Sequence, residues 1–307
     1  MLQRGVRFAL ADLLTSGAAG LLLCVGVAAG VPDRAPGATA QVAVAFLLPF
    51  AFAGVRALKP RRGSLLASVA DFGPILPLLL VFDNLGPFIL GTSSVDSDPL
   101  LVAADRFLFL GADPTRLLEP FMTSLLLDVL TICYALYYFH PIVLGALLWK
   151  DDLRDPARTA KFPAYVFGML LVFYVSYAGY FFAPAIGPRF TVPHAGPLPR
   201  GTVARAIDGT LDRLETSRHN CFPSGHTMVT VAVLVAAARR SRKTFLCFLP
   251  FAIGLFLATV AGRYHYVVDV LAGAVLAVVV GGAARSLARR FPQEPDGTVL
   301  ETSLYRR

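Results

Sequence analysis

Charge is scarce in this chain of 307 residues. Lys, Arg, Asp and Glu together account for 16% of it, whereas an ordinary soluble domain has about 25%. So few charges cannot cover a water-facing surface, which excludes a soluble globular enzyme. Hydrophobic residues account for 56%, which excludes a disordered chain, because such chains are polar and poor in aromatic residues.

Cysteine clusters and repeats are also lacking. The spacing of the four cysteines suggests neither a zinc ribbon nor a disulfide framework. There is no internal repeat, no low-complexity tract and no module typical of nucleic-acid binding. We therefore interpret the net charge of +8 as a topology signal and an attraction to anionic lipids, and expect no nucleic-acid partner.

Long uncharged runs are present instead. Six runs of 19 to 27 residues contain no Lys, Arg, Asp or Glu, and a helix needs roughly 20 apolar residues to cross a bilayer. Two further segments qualify despite one or two aspartates. We therefore predict an all-α polytopic membrane protein with about eight transmembrane helices. The segments are 13–32, 35–55, 64–90, 129–149, 162–188, 219–238, 244–262 and 266–284.

The first apolar run has two interpretations. It follows Arg4 and Arg7 and is compatible with a signal peptide or with an uncleaved anchor. The apolar region of a signal peptide has about 7–15 residues, and this run has 20. We therefore favour an anchor that stays in the protein.

Lys and Arg are distributed unevenly between alternate inter-helix regions. Nineteen lie on the side of the two termini and nine on the other side. Because positive charge favours the cytoplasmic side, both termini are predicted to be cytoplasmic. Short loops and spans rich in Ala, Leu and Val favour a bacterial inner membrane with the opposite face in the periplasm. In a Golgi membrane the same topology would place that face in the lumen.

One predicted external loop ends in Phe-Pro-Ser-Gly-His, residues 222–226. Ser224 is a good helix cap, Gly225 permits close approach of the backbone, and His226 would lie in the first helical turn. Because helix N-termini bind phosphate, the stretch predicts a phosphate cradle with an acid–base residue attached. An ordinary capped helix is the alternative.

A second loop on the same side contains His265 and Asp269, four residues apart at a helix start. This spacing places them on one face, where a carboxylate would fix the imidazole tautomer and free the other ring nitrogen as a base or nucleophile. Arg189 and Arg263 could clamp phosphate oxygens or lie at the interface with their tips in water. Together these groups suit phosphoryl transfer.

At these residues the chain resembles the type 2 phosphatidic acid phosphatase superfamily. Residues 222–226 match its second signature, and His265-x-x-x-Asp269 matches the core of its third. The resemblance implies that His265 forms a phosphohistidine, that Asp269 orients it and that His226 protonates the leaving alcohol. The implied phosphate-binding residues are Arg189, Arg263, Ser224 and Gly225. No metal or other cofactor is expected.

The resemblance also implies a domain organisation. A six-helix core would occupy residues 64–290, preceded by two additional helices in 1–63 and followed by a polar cytoplasmic tail, 291–307. Within the superfamily, the chain is more similar to the inositol-phosphorylceramide synthase branch. The features that carry this similarity are the two extra helices, the stretch that ends at Arg189 and the stretch 105–114. That branch moves a phosphoinositol head group from a glycerophospholipid to a lipid alcohol.

Three functions stay open at this point. A lipid phosphotransferase would resolve the phosphohistidine with an alcohol, and a phosphatase acting on phosphatidic acid or a polyprenyl phosphate would resolve it with water. Phe182 and Thr259 replace basic residues of the family signatures, which favours the transferase. A non-enzymatic carrier would need a polar path across the bilayer, whereas the ionisable residues cluster at one face. A haloperoxidase and a rhomboid-like protease using Ser224 are disfavoured.

Three features bear on the substrate. Asp83 and Asn84 are candidate substrate-binding residues, because intramembrane carboxylates are costly and often functional; an inter-helix hydrogen bond is the alternative. The tyrosines of 134–138 favour packing or an interfacial belt. Residues 200–218 form either an amphipathic segment over the site or a solvated loop. Membrane lipids are the expected partners, and no oligomeric state is predicted.

Overall fold

A computed structural model of the protein describes residues 2–155, 161–214 and 218–290. The described residues form sixteen α-helices and two short 3-10 helices and contain no β-strand, which confirms the all-α prediction. The predicted tail, 291–307, lies outside these ranges. The helices are α1 Leu2–Ala28, α2 Val31–Arg34, α3 Pro36–Ala57, α4 Leu65–Phe72, α5 Ile75–Asp83, α6 Leu85–Thr92, α7 Asp98–Leu108, α8 Pro114–Leu118, α9 Ser124–Ala135, α10 His140–Arg154, α11 Lys161–Phe182, α12 Pro188–Thr191, α13 Thr202–Leu214, α14 Gly225–Arg240, α15 Arg242–Ala261 and α16 Val267–Arg290.

The length and composition of the helices identify an integral membrane protein. Within the described ranges, six helical segments are long and apolar enough to cross a bilayer: Arg7–Ala28, Pro36–Ala57, Leu65–Asp83, Lys161–Phe182, Arg242–Ala261 and Val267–Leu287. The pair α9 and α10 would make a seventh span with a bend of 46°. A 3-10 helix, Leu136–Tyr138, separates the pair, and Pro141 at the start of α10 cannot donate a helical hydrogen bond.

The sixth predicted span, 219–238, is wrong in its extent. The helix in this region, α14, begins at Gly225 and has 16 residues, or about 24 Å, against a hydrocarbon core of about 30 Å. The predicted helix start is confirmed, because the Ser224 hydroxyl accepts a hydrogen bond from the Thr227 N–H at 3.3 Å. The apolar residues before Ser224 therefore belong to a loop.

The helix α11 lies at the centre of the bundle, because it belongs to both large apolar clusters. The first cluster joins α1, α3, α5 and α11, and the second joins α10, α11, α14 and α16. The N-terminal helix α1 packs on α3 and α11. Representative buried residues are Ala11, Val42, Leu78 and Tyr177 in the first cluster, and Leu144, Met169, Met228 and Ala277 in the second.

A small residue brings α14 and α16 together at the end of the bundle that carries the histidine motifs. A Cβ atom at Gly273 would lie 2.7 Å from the Ser224 carbonyl oxygen, so only glycine permits this approach. The Ser224 N–H also donates to the Asp269 carbonyl oxygen at 3.3 Å. The start of α14 is thereby held against the first turn of α16.

Candidate active site

The two motif histidines meet at this helix junction. Nδ1 of His226 lies 3.3 Å from Nε2 of His265, and the His265 side chain is buried at 4% exposure. A hydrogen bond between two ring nitrogens requires one ring to donate and the other to accept. The contact therefore places an acid–base group directly at the nitrogen predicted to act as the nucleophile.

The opposite side of the His265 ring faces a carboxylate and a thiol. Its Nδ1 lies 3.5 Å from Oδ2 of Asp269 and 3.6 Å from Sγ of Cys221. The Cys221 thiol donates to the same Asp269 oxygen at 2.9 Å. The predicted pairing of His265 with Asp269 is present, and Cys221 contacts both members.

The pair lies at a helix start, as predicted, although His265 itself precedes the helix. The helix α16 begins two residues later, at Val267. The N–H groups of Tyr264 and His265 both donate to the Thr259 carbonyl oxygen, at 2.9 and 3.0 Å, and so form a turn at the end of α15. His265 is therefore fixed by that turn, while Asp269 is fixed by α16.

The first turn of α16 is capped by a carboxylate that the sequence did not indicate. Asp105 accepts the N–H groups of Val267 and Val268 at 3.0 and 2.8 Å, and Asp269 accepts that of Tyr266 at 3.1 Å. Burial raises the pKa of Asp105, and its two backbone hydrogen bonds oppose that rise. Because these N–H groups are already satisfied, they are not available to a phosphate.

Ser224 and Gly225 begin α14 in tightly packed surroundings. The Ser224 hydroxyl is fully buried as the helix cap and also accepts from the Thr227 hydroxyl at 3.1 Å. A Cβ atom at Gly225 would lie 2.5 Å from the Tyr180 hydroxyl oxygen. The glycine thus accommodates the side chain of Tyr180, and the predicted phosphate-binding roles of Ser224 and Gly225 stay predictions.

The Arg263 side chain is held by two acceptors beside the histidines. Its Nη1 donates to the Gly196 carbonyl oxygen at 2.9 Å, and its Nη2 donates to Oε1 of Glu119 at 3.0 Å. Its Nε is buried and has no hydrogen-bond partner. Burial lowers the pKa of Arg263, and the Glu119 carboxylate opposes that shift. The guanidinium is therefore held in a fixed orientation.

Arg189 lies at the start of the short helix α12, and its N–H donates to the Arg263 carbonyl oxygen at 3.0 Å. The preceding Gly187 has φ of +92°, and a Cβ atom there would lie 2.7 Å from the Tyr264 carbonyl oxygen. Asp98 accepts the Gly187 N–H at 2.9 Å. The loop around Gly187 therefore holds the backbones of both predicted phosphate-binding arginines together.

Glu119 is a site residue for which the sequence gives no signal. Besides Arg263, its Oε1 contacts Nδ1 of His194 at 2.8 Å, while the other ring nitrogen of His194 lies 3.0 Å from the Pro188 carbonyl oxygen. This carboxylate therefore positions the Arg263 guanidinium and also ties it to the loop that carries Arg189.

Replacing Glu119 with glutamine is expected to lower kcat/KM roughly tenfold, because a charge-assisted hydrogen bond contributes about 1.5–3 kcal/mol. The loss should appear as weaker inhibition by vanadate, a phosphate analogue. Asp113→Asn is the matched control, since Asp113 pairs with Arg106 at 2.8 Å. Equal vanadate inhibition in Glu119→Gln and the unmodified protein would contradict the positioning role.

Three tyrosine rings near the His226 ring hold it in place. Tyr134 stacks on it with ring centroids 4.6 Å apart, and Tyr137 lies 4.4 Å away. The other face of Tyr134 stacks on Tyr264 at 4.6 Å. The sequence predicted packing or an interfacial belt for the tyrosines of 134–138, and the structure shows that two of them contact a motif histidine.

A cavity of about 680 Å³ reaches the histidines. Its lining includes His226, His265, Arg189, Arg263 and Gly225, so the structure brings five of the predicted site residues to one space. The candidate substrate-binding residues Asp83 and Asn84 are not among the lining residues.

The predicted substrate-binding role of Asp83 and Asn84 is therefore not supported by the geometry. The Asn84 amide is buried and donates to Oε1 of Gln41 at 2.9 Å and to the Leu80 carbonyl oxygen at 2.7 Å. This is the inter-helix hydrogen bond that was the alternative, because Gln41 belongs to α3.

Cys221, His265 and Asp269 also have a donor set that could hold a metal ion. Their ligand atoms lie within 4.8 Å of one another, and all three side chains are buried. Thiolate, imidazole and carboxylate are the ligands that zinc prefers. The expectation that no metal takes part stays a prediction, which a chelator tests.

The fold and the site together define a membrane protein with a buried histidine pair beside two arginines. A family model, that of the PAP2 superfamily, matches residues 100–283, which is more than half of the chain. The protein therefore belongs to the PAP2 superfamily, a membership that indicates a lipid enzyme of the phosphatase or phosphotransferase type. The match does not select a branch of the superfamily. No curated protein and no solved structure matches the chain.

Proposed function

We propose that the protein is a lipid phosphotransferase that works through a phosphohistidine on His265. The observation that carries the proposal is the contact of 3.3 Å between Nε2 of His265 and Nδ1 of His226. It lies in the cavity that Arg189 and Arg263 also line. A nucleophile, an acid–base group and two cationic groups thus share one space, as phosphoryl transfer requires.

In the first step, the Nε2 lone pair of His265 attacks phosphorus and the bond from phosphorus to the leaving oxygen breaks. His226 gives its proton to that oxygen. Asp269, beside Nδ1, stabilises the positive charge that develops on the His265 ring. The positive charges of Arg263 and Arg189, which line the same cavity, stabilise the phosphoryl oxygens.

In the second step, an acceptor hydroxyl loses its proton to His226 and its oxygen attacks phosphorus. The phosphorus–nitrogen bond breaks and His265 regains its lone pair. Each step inverts phosphorus, so the overall reaction retains configuration. The same residues thus serve both steps, with His226 acting first as an acid and then as a base.

An alcohol acceptor is favoured over water by the surroundings of the histidines. His265 and Asp269 are buried, and aromatic rings cover His226. A site that excludes water protects a reactive intermediate from hydrolysis. A phosphoinositol head group and a lipid alcohol are our candidates for the transferred group and the acceptor, and the periplasmic face is our candidate for the location.

The test uses purified protein in mixed micelles. Phosphatidic acid, a polyprenyl diphosphate and phosphatidylinositol are each supplied with and without ceramide or diacylglycerol. We expect a new phospholipid that forms only with the acceptor, without free phosphate and without loss of rate when a chelator is added. Free phosphate without any acceptor would instead make the protein a phosphatase. Activity restored only by added metal would overturn the metal-free mechanism.

A further inference from the structure

The cavity extends far beyond the histidines along α11. Residues of α11 from Phe162 to Tyr180 line it at the three- and four-residue intervals of one helix face. These 18 steps correspond to about 27 Å of helix, close to the hydrocarbon thickness of about 30 Å. The cavity therefore runs from the catalytic histidines through most of the depth of the membrane.

Two further walls complete this cavity. The segment of α4 and α5 from Asp71 to Phe82 forms one wall, and the start of α10, from Phe139 to Gly145, forms another. Along these walls the lining consists mainly of hydrocarbon and aromatic side chains. The volume of about 680 Å³ lies within the range of about 300–1,000 Å³ that is usual for ligand pockets.

The cavity has an open side and a closed end. Leu79, Phe139 and Ile142 line it and are also 47%, 60% and 45% exposed, so it opens between α5 and α10 toward the surrounding lipid. Its far end lies at Gly145 and Asp71, and Asp71 is 3% exposed and accepts the indole N–H of Trp149 at 2.8 Å. A chain can thus enter sideways from the bilayer and end near Asp71.

We infer that this cavity binds one hydrocarbon chain of the lipid substrate, extended along α11 with its phosphate at the histidines and its terminus near Gly145. The inference rests on the proposed function, because the histidines define where the phosphate lies. It makes the protein selective for lipids with a chain long enough to fill the cavity. Because the chain comes from lipid and not from water, this selectivity depends on van der Waals packing against the cavity walls.

The first test does not depend on turnover. Hexadecyl phosphate with a diazirine at its chain terminus is photolysed with the purified protein in micelles, and the labelled peptides are mapped. We expect labels around Asp71, Gly145 and Phe162, whereas octyl phosphate with the same terminal group should label residues nearer Tyr177. Labels spread evenly over the outer surface for both probes would overturn the inference and leave the proposed function intact.

Two neighbouring substitutions sharpen the test. Ile142→Trp fills the cavity, whereas Val143→Trp places the same side chain on a residue of α10 that is 49% exposed and is not among the lining residues. We expect Ile142→Trp to reduce hexadecyl labelling near Gly145 at least tenfold and Val143→Trp to leave it unchanged. Equal labelling in both variants would contradict a chain inside the cavity.

A turnover experiment separates chain binding from chemistry. With dioctanoyl and dioleoyl forms of the same donor lipid, Ile142→Trp should lower kcat/KM at least tenfold for the dioleoyl form and less than threefold for the dioctanoyl form. Retained dioctanoyl turnover also shows that the variant folds. Gly145→Leu, which introduces a side chain near Tyr165 and Phe162, should show the same selectivity. If both variants lose kcat/KM equally on the two donors, the inference is overturned. If the unmodified protein turns over neither donor, the proposed function is contradicted instead.

Discussion

Replacing His265 with alanine is expected to lower the rate of phosphoryl transfer by roughly 10⁴-fold or more, as the loss of a nucleophile does in other enzymes. The expectation follows from the position of the ring. Its Nε2 faces the cavity and His226, while its Nδ1 lies beside Asp269 and Cys221. Only a ring fixed on one side and open on the other can attack phosphorus repeatedly in the same geometry.

The direct measurement is the covalent intermediate. With a donor lipid carrying radioactive phosphorus, rapid denaturation should trap label on the unmodified protein, and the label should be stable to base and labile to acid, as phosphohistidine is. The His265→Ala variant should carry none. His219→Ala is the control, because His219 lies in the loop that precedes α14 and lines a different cavity. Label retained in His265→Ala would contradict the phosphohistidine mechanism.

The all-α class and the existence of several membrane spans were predictable from the sequence, because a bilayer demands long apolar segments. Their number was overestimated, since about eight spans were predicted and the described residues contain six, or seven with the bent pair α9 and α10. The ends of the helices were not predictable. The uncharged run 162–188 continues six residues beyond α11, which ends at Phe182, since Pro184, Gly187 and Pro188 cannot continue a helix. In the uncharged run 219–238, the residues before Ser224 form a loop. Absence of charge therefore identifies membrane segments but does not distinguish helix from the loops that carry the site.

The chemistry of the site was indicated by short motifs, because His226 and the pair His265 and Asp269 each lie within a few residues of a helix start. The residues that position them were not predictable in the same way. Glu119 contacts Arg263 from 144 positions away, and Asp105 caps α16 from 162 positions away. Such contacts depend on how helices pack, and a single carboxylate far away in the sequence has no local pattern that reveals them.

Replacing His226 with glutamine is expected to slow the first chemical step by roughly 10²–10⁴-fold with a natural lipid donor, the usual contribution of a general acid. An alkoxide leaves poorly without a proton, and Nδ1 of His226 is the ring nitrogen nearest the attacking atom. A p-nitrophenyl ester needs no proton to leave, because its phenolate is stable. With the corresponding p-nitrophenyl ester, the rate of p-nitrophenol release by His226→Gln should therefore be lower than that of the unmodified protein by a factor of less than about ten.

Single-turnover release of the leaving group isolates this step from the later attack by the acceptor, in which His226 would act as a base. His140→Gln is the matched control, since His140 contacts the same tyrosine, Tyr137, and pairs with Thr230 at 3.3 Å. This control variant should change the rates of leaving-group release from the two esters by similar factors. If His226→Gln slows leaving-group release from both esters equally, His226 binds or orients the substrate and is not the acid. The proton for the leaving oxygen would then have to come from another group in the cavity.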